Sequence, residues 1–258
     1  MTVIMRARSI QKSPFVIGHR GAMGYAPENT LASYTLAWKM GVDAVECDVH
    51  LSRDGRIVVM HDETLDRTTN GTGPIQRASW KKIMRLDAGS WFHPRYRRER
   101  VLPLGRLLRW VRGKRTKAAR PLSLVIEIKN EKVKYRGIAE KVVRAVEKEG
   151  MTDRVILISF DHAVVRRIKQ IQPRLMTGIL YYKAMRDPVS HARRYLADAL
   201  FPRRHLVTRS LLKKARQEGL VVATWTVNER SDMKKMIAAH VDGIASNYPD
   251  RLLSLLKR

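Results

Sequence analysis

Eight short apolar runs alternate with eight stretches of helical periodicity, and this alternation constrains the chain more than any other feature of it. The runs are Phe15–Gly18, Ala44–Val49, Leu124–Lys129, Val155–Phe160, Gly178–Tyr181, Ala199–Phe201, Val221–Val227 and Gly243–Ser246. Helical spacing follows over Glu28–Met40, Leu104–Val111, Gly137–Glu149, His162–Gln172, Pro188–Leu196, Ser210–Glu218, Arg230–His240 and Asp250–Lys257. Strands separated by helices pair in parallel. Eight such units in 258 residues fit an α/β fold of the (β/α)8 TIM-barrel class. An open doubly wound sheet is the other arrangement of the same elements. The barrel is favoured because reactive side chains collect at the C-terminal ends of several different runs, where barrel active sites sit.

The whole chain, 1–258, reads as a single domain with one inserted segment at about 51–102, a stretch too long for a plain connection. That segment opens as a hairpin from Leu51 to His61, with Asp54-Gly55 supplying the turn between apolar flanks. His61 is thereby expected to fold back beside the second strand.

No stretch approaches the roughly 20 apolar residues of a bilayer-crossing helix. The 51 Lys plus Arg outnumber 24 Asp plus Glu, for a net charge of +27, which suits anionic partners: nucleic acid, an anionic membrane surface or small phosphorylated substrates. Lys81–Arg120 holds 14 Lys or Arg against Asp87 and Glu99, and His162–Arg216 holds 14 against Asp187 and Asp198. Most of these charges lie between apolar helical positions and read as solvated outer faces. Cys47 is the only cysteine, so no intrachain disulfide can form. Met1–Ser13 lacks the apolar core of a secretory signal, and a cytoplasmic location is expected.

Glu46 and Asp48 flank Cys47 within a strand, whose period of two points both carboxylates to one face. In a second barrel strand that face is the interior. Neighbouring interior carboxylates repel and are costly to desolvate without a cation. Glu127 and Lys129 repeat the pattern at the end of Leu-Val-Ile-Glu-Ile-Lys. Three hard oxygen donors suit one divalent cation, Mg2+ or Ca2+, better than zinc; a buried Glu–Lys ion pair is the plainer reading of Glu127 and Lys129.

His19-Arg20-Gly21 stands where the first strand gives way to its loop, and His61 arrives from the hairpin. A phosphodiester needs its nucleophile to lose a proton and its leaving alkoxide to gain one, which two histidines can supply. Arg20 and Lys129 add fixed positive charge for the phosphoryl oxygens. Glu28-Asn29-Thr30 is read as a helix start, Asn247 as a turn residue, and Trp225 as a pocket wall or a core side chain.

Taken together, His19-Arg-Gly with Ala26-Pro-Glu-Asn-Thr30, Glu46-Cys-Asp48, Asp54-Gly55 leading to His61-Asp62, Leu65-Asp-Arg-Thr-Thr-Asn-Gly71, Glu127-Ile-Lys129, Ser159-Phe160, Trp225-Thr-Val-Asn228 and Asp242-Gly243 resemble the glycerophosphodiester phosphodiesterase family, in family order from Phe15 to Asp250. The resemblance implies a metal-dependent enzyme that hydrolyses glycerophosphodiesters to sn-glycerol 3-phosphate and an alcohol, through attack by the substrate's own 2-hydroxyl and a cyclic phosphate. It implies Glu46, Asp48 and Glu127 as metal ligands, His19 and His61 as the acid–base pair, and Arg20 and Lys129 as phosphate contacts. The chain departs from the family after Pro103, where Gly105 and Arg106 replace the usual acidic residues, and in its basicity. Two other readings stand beside it. One is a lysophospholipase D-like enzyme in peripheral contact with anionic membranes. The other is a catalytically silent barrel that binds phosphate or nucleic acid, against which a 7% aromatic content argues because single-strand binders stack bases on rings.

Overall fold

The computed structural model describes residues 13–257; the leader reading of Met1–Ser13 therefore falls, apart from Ser13, outside the described residues. Eight parallel strands form the barrel: β1 (Phe15–Gly18), β2 (Ala44–Leu51), β5 (Ser123–Ile128), β6 (Val155–Ser159), β7 (Met176–Tyr181), β8 (Ala199–Pro202), β9 (Val221–Thr224) and β10 (Gly243–Ser246). β1 pairs with β10 on one side and with β2 on the other, so the sheet closes and the open doubly wound alternative is excluded. The outer helices are α1 (Leu31–Met40), α3 (Leu104–Arg112), α4 (Ile138–Lys148), α5 (His162–Ile171), α6 (Pro188–Arg194), α7 (Arg209–Gln217), α8 (Arg230–Ala238) and α9 (Pro249–Leu255), with a one-turn α2 (Trp80–Ile83) in the inserted segment. None of the described helices is long and apolar enough to cross a membrane.

The alternation of strand side chains divides the molecule into two apolar compartments. Phe15, Ile17, Ala44, Val125, Ile156 and Phe201 fill the barrel interior. Val45, Cys47, Val49, Leu124 and Ile126 face outward and pack with Val142, Val143 and Leu108 from the helices. Along β2, Ala44, Glu46 and Asp48 share the inward parity, which places two carboxylates above an apolar plug.

β2 is longer than the barrel needs. Its first residues pair with β1, whereas Val49, His50 and Leu51 pair antiparallel with β3 (Ile57–Val59). Gly55 makes the hairpin turn at φ +73°, a conformation that costs glycine little. β3 then pairs with β4 (Leu102–Pro103), and the connection between them closes a small apolar cluster of Val58, Leu65, Ile75, Ile83 and Val101.

Two of the boundaries that differ from the sequence reading bear on the site. α1 starts at Leu31 rather than Glu28, because Asn29 adopts φ +59° and Thr30 is the residue whose hydroxyl accepts from the Ser33 amide. β9 stops at Thr224 rather than Val227; the Trp225 amide donates to Pro202 and the Val227 amide to Ala245, so the chain swings from one neighbouring strand to the other.

Candidate active site

Glu46, Asp48 and Glu127 converge at the C-terminal mouth of the barrel, each buried, with one oxygen from each within 4.8 Å of the others. Asp48 on β2 and Glu127 on β5 are register partners, so sheet pairing alone sets them side by side. Asp48 Oδ1 is buried without a hydrogen-bond donor, and the Lys129 ammonium is 3.5 Å from it. Oδ2 accepts from Asn29 Nδ2 at 2.9 Å, with Arg20 Nε 3.3 Å away. Burial, reinforced by the Asp48 charge, pushes the Glu46 carboxyl well above the usual carboxylate range. Burial likewise raises Glu127 to about 7 against the pull of Lys129. For Asp48 burial is overcome by Arg20 and Lys129, and its pKa falls. Desolvated oxygens with an open acceptor among them form a group that can hold a hard cation, and the donor set contains no sulfur or imidazole.

Arg20 occupies a left-handed turn at φ +51°. Its amide donates to Glu46 Oε2 at 2.8 Å while its Nη1 donates to Glu28 Oε1 at 2.9 Å, so backbone and side chain of one residue bridge two carboxylates. The loop can make this turn because Gly21, at φ +86°, lies against the Ser33 backbone where any Cβ would overlap. Lys129 follows β5 directly and donates to Glu127 Oε1 at 2.6 Å.

The two histidines enter from different elements. His19 leaves the end of β1, and its Nδ1 is 2.7 Å from Asn247 Oδ1 at the end of β10; Asn247 is held by its own amide donating to Asn228. Burial, with Arg20 next to it, lowers the His19 ring to about 3. His61 is fixed by the hairpin: the Met60 amide donates to Asp48, and the His61 carbonyl faces His50 Nε2 at 3.0 Å. His61 Nδ1 meets Asp62 Oδ1 at 2.7 Å, and burial lowers its pKa against the opposing influence of Asp48. Both rings thus have Nδ1 engaged by an oxygen acceptor, and the His61 charge adds to the lowering of the His19 ring. His61 and Lys129 share a cleft of about 200 Å³ with His50, Glu63 and Glu131.

The structure therefore brings His19, His61, Arg20, Lys129, Glu46, Asp48 and Glu127 to one end of the barrel. Trp225 stands at the same end, its indole N–H donating to Phe201 at 2.8 Å and its ring edge-on to Phe160. The helix-start reading of Glu28 and Asn29 is corrected. Glu28 is only 5% exposed and takes Arg20 on one side and Arg67 on the other, and Asn29 reaches Asp48 while accepting from the Tyr34 hydroxyl. Asn247 is likewise more than a turn residue. Arg67 closes the set by binding Glu28 and Asp62 together. Only the run of polar residues after Pro27 and after His61 hints at these partners in the sequence.

The glycerophosphoryl diester phosphodiesterase family model matches residues 19–251. A glycerophosphodiester phosphodiesterase from Caldanaerobacter subterraneus subsp. tengcongensis is 37% identical over 243 residues, covering 94% of this chain and 98% of its own. The crystal structure of a glycerophosphodiester phosphodiesterase from Agrobacterium tumefaciens superposes with a TM-score of 0.81 at 30% identity, over 93% of this chain and 99% of that one. An Oleispira antarctica phosphodiesterase, solved in complex with the product sn-glycerol-3-phosphate, superposes with a TM-score of 0.84 at 27% identity, over 98% and 99%. With the ordered motifs, the closed barrel and the match along nearly its whole length, the chain belongs to the glycerophosphoryl diester phosphodiesterase family.

Proposed function

We propose that this enzyme hydrolyses glycerophosphodiesters to sn-glycerol 3-phosphate and an alcohol, with Glu46, Asp48 and Glu127 holding one divalent cation, Mg2+ or Ca2+, and His19 and His61 moving the protons. Family membership supports the reaction class, and the product bound in the Oleispira antarctica relative supports the product. The observation that carries the assignment of roles is the pair of imidazoles, each with Nδ1 tethered, beside three buried carboxylates and two fixed cations.

Tethering at Nδ1 leaves Nε2 of each ring as the atom for proton transfer. Asn247 and Asp62 orient the rings, and Asp62 also stabilises positive charge on His61. One imidazole takes the proton of the substrate's attacking 2-hydroxyl and the other returns a proton to the departing alkoxide; water then opens the cyclic phosphate with the two roles exchanged, leaving sn-glycerol 3-phosphate. Arg20 and Lys129 hold the phosphoryl oxygens, the first as a planar fork and the second as a point charge. The bound cation supplies charge neutralisation for those oxygens. Trp225 walls the side of the mouth next to Phe160 and orients the apolar part of the diester.

The test is product identification from glycerophosphocholine and glycerophosphoethanolamine under defined metal conditions. Release of sn-glycerol 3-phosphate, abolished by chelator and restored by Mg2+ or Ca2+, is the expected result. Activity indifferent to chelator removes the carboxylates from this role, and absence of turnover on the whole panel removes the substrate assignment.

A further inference from the structure

The exposed large apolar side chains among the described residues are Met84 (47%), Trp91 (40%), Tyr182 (51%) and Leu196 (49%). Exposed apolar residues scattered singly carry no message. Three of these four are not scattered. Met84 and Trp91 belong to the inserted segment between β3 and β4, whose Tyr96 hydroxyl bonds Tyr25 of the β1–α1 loop, and Tyr182 follows β7 directly; the insertion leaves β2, and Tyr182 leaves β7, at the C-terminal ends of the strands, the end where the candidate site opens. Leu196 precedes β8 and belongs to the other end.

The same segments are strongly basic. Between Trp80 and Val101 seven Lys or Arg stand against Asp87 and Glu99. The two carboxylates are already used: Asp87 accepts from the Gly89 and Ser90 amides, and Glu99 from the Ala32 amide. Across the mouth Lys183 lies 5.8 Å from the centre of the Tyr182 ring. The aromatic group is also ordered in advance. The Trp91 N–H donates to Ala88, its ring packs edge-on to Phe92, Phe92 packs on Tyr96, and the Tyr96 hydroxyl donates to Tyr25 in the β1–α1 loop.

We propose that this mouth face docks on an anionic lipid bilayer. Trp and Tyr rings settle at the headgroup level of a bilayer, and exposed Lys and Arg are drawn to an anionic leaflet. Nucleic acid is the weaker match. Met84 has no stacking face or hydrogen-bond donor to offer a base, whereas its thioether chain enters an acyl layer, and the exposed rings of Trp91 and Tyr182 lie on segments leaving β2 and β7, three strands apart in the barrel, instead of following one track. Docked this way, the protein presents its mouth to the plane of the headgroups, whichever diester it cleaves.

Co-sedimentation tests the proposal with vesicles of phosphatidylcholine alone and of phosphatidylcholine mixed with phosphatidylglycerol. The wild type is expected to bind the mixed vesicles only, less as salt rises. Trp91→Ser with Tyr182→Ser, and separately Arg97→Glu with Arg98→Glu, are expected to bind at least about tenfold more weakly. Both variants should keep the wild-type melting temperature and turnover of soluble glycerophosphocholine, which separates docking from folding and from catalysis. The proposal is overturned if the wild type ignores anionic vesicles, or if two folded variants bind them as the wild type does. Retention on duplex DNA, lost in the same variants while no vesicle is bound, would assign the face to nucleic acid instead.

Discussion

Arg67 and Glu28, thirty-nine positions apart, are joined by two hydrogen bonds of 2.8 and 2.9 Å. The pair fastens the inserted segment to the β1–α1 loop, because Glu28 also accepts from Arg20 while Arg67 also donates to Asp62 behind His61. One guanidinium therefore connects the support of both ends of the site. Its charge is strengthened by the Glu28 and Asp62 hydrogen bonds, and Glu28 is held below the usual carboxylate range because Arg67 and Arg20 outweigh its burial.

Arg67→Ala is expected to cost about 1.5–3 kcal/mol of stability, the usual scale for hydrogen bonds to charged groups, and to lower kcat more than it changes KM. Arg67→Lys should recover little, since a point charge cannot bridge two carboxylates bidentately. Urea unfolding together with steady-state kinetics reads both effects. A variant with wild-type kcat would show that His61 is oriented without Asp62 being braced.

His19→Ala and His61→Ala should each reduce kcat by about 10²-fold or more, the ordinary contribution of positioned acid–base groups. Melting temperatures should stay near wild type, because both rings sit at the rim and not in either apolar compartment. Losses below tenfold in both variants would take the proton-transfer role away from them.

Glu46→Gln separates metal binding from folding. In chelator the substitution removes a desolvated carboxylate adjacent to Asp48 and keeps an acceptor for the Arg20 amide, so the melting temperature should rise, by roughly 2–4 °C for each kcal/mol relieved. The stabilisation that Mg2+ or Ca2+ gives the wild type should vanish in the variant. Thermal scans with and without cation decide it; equal cation-induced shifts in both proteins would place the ion elsewhere.

His162 Nδ1 and His191 Nε2 are 2.8 Å apart, and burial, aided by the His162 and Arg194 charges, lowers the His191 pKa below its ordinary 6.5. The unfolded chain takes up that proton first. Stability should consequently decline as pH falls through about 6.5, levelling once the folded ring also protonates. His191→Gln should make this part of the profile shallower, with His19 and His61, whose pKa values are lowered too, setting the remainder, as measured by urea midpoints between about pH 5 and pH 7.5; an unchanged slope would show that His191 does not contribute.

The fold and the side chains of Glu46, Asp48, Glu127 and Lys129 were legible because strand parity is strict, while His19 and Arg20 were read from the end of the first strand and His61 from the hairpin. A carboxylate two residues from another in an apolar strand must share its face, and the same parity assigns Glu127 to the barrel interior, where the register sets it beside Asp48. Glu28, Asn29 and Asn247 were not legible. Their local surroundings are those of helix starts and turns, and their partners lie far along the chain: Asp48 for Asn29, and His19, 228 positions away, for Asn247. The left-handed Asn29 is what turns its amide away from α1, and nothing in its neighbours announces that geometry.

The overhang of β2 beyond the barrel works as a ruler. Since the Met60 amide is bonded to Asp48 and each rung from Val49–Val59 to Leu51–Ile57 is paired, the number of residues between Asp48 and His61 is dictated by the ladder. In the tip, Arg53 and Arg56 are exposed and can change in chemistry as long as Gly55 keeps its turn and Asp54 keeps its bonds to the Ser52 hydroxyl and the Trp80 amide. A single insertion or deletion there would slip the ladder by one rung and carry the His61 imidazole out of step with the carboxylates beside it.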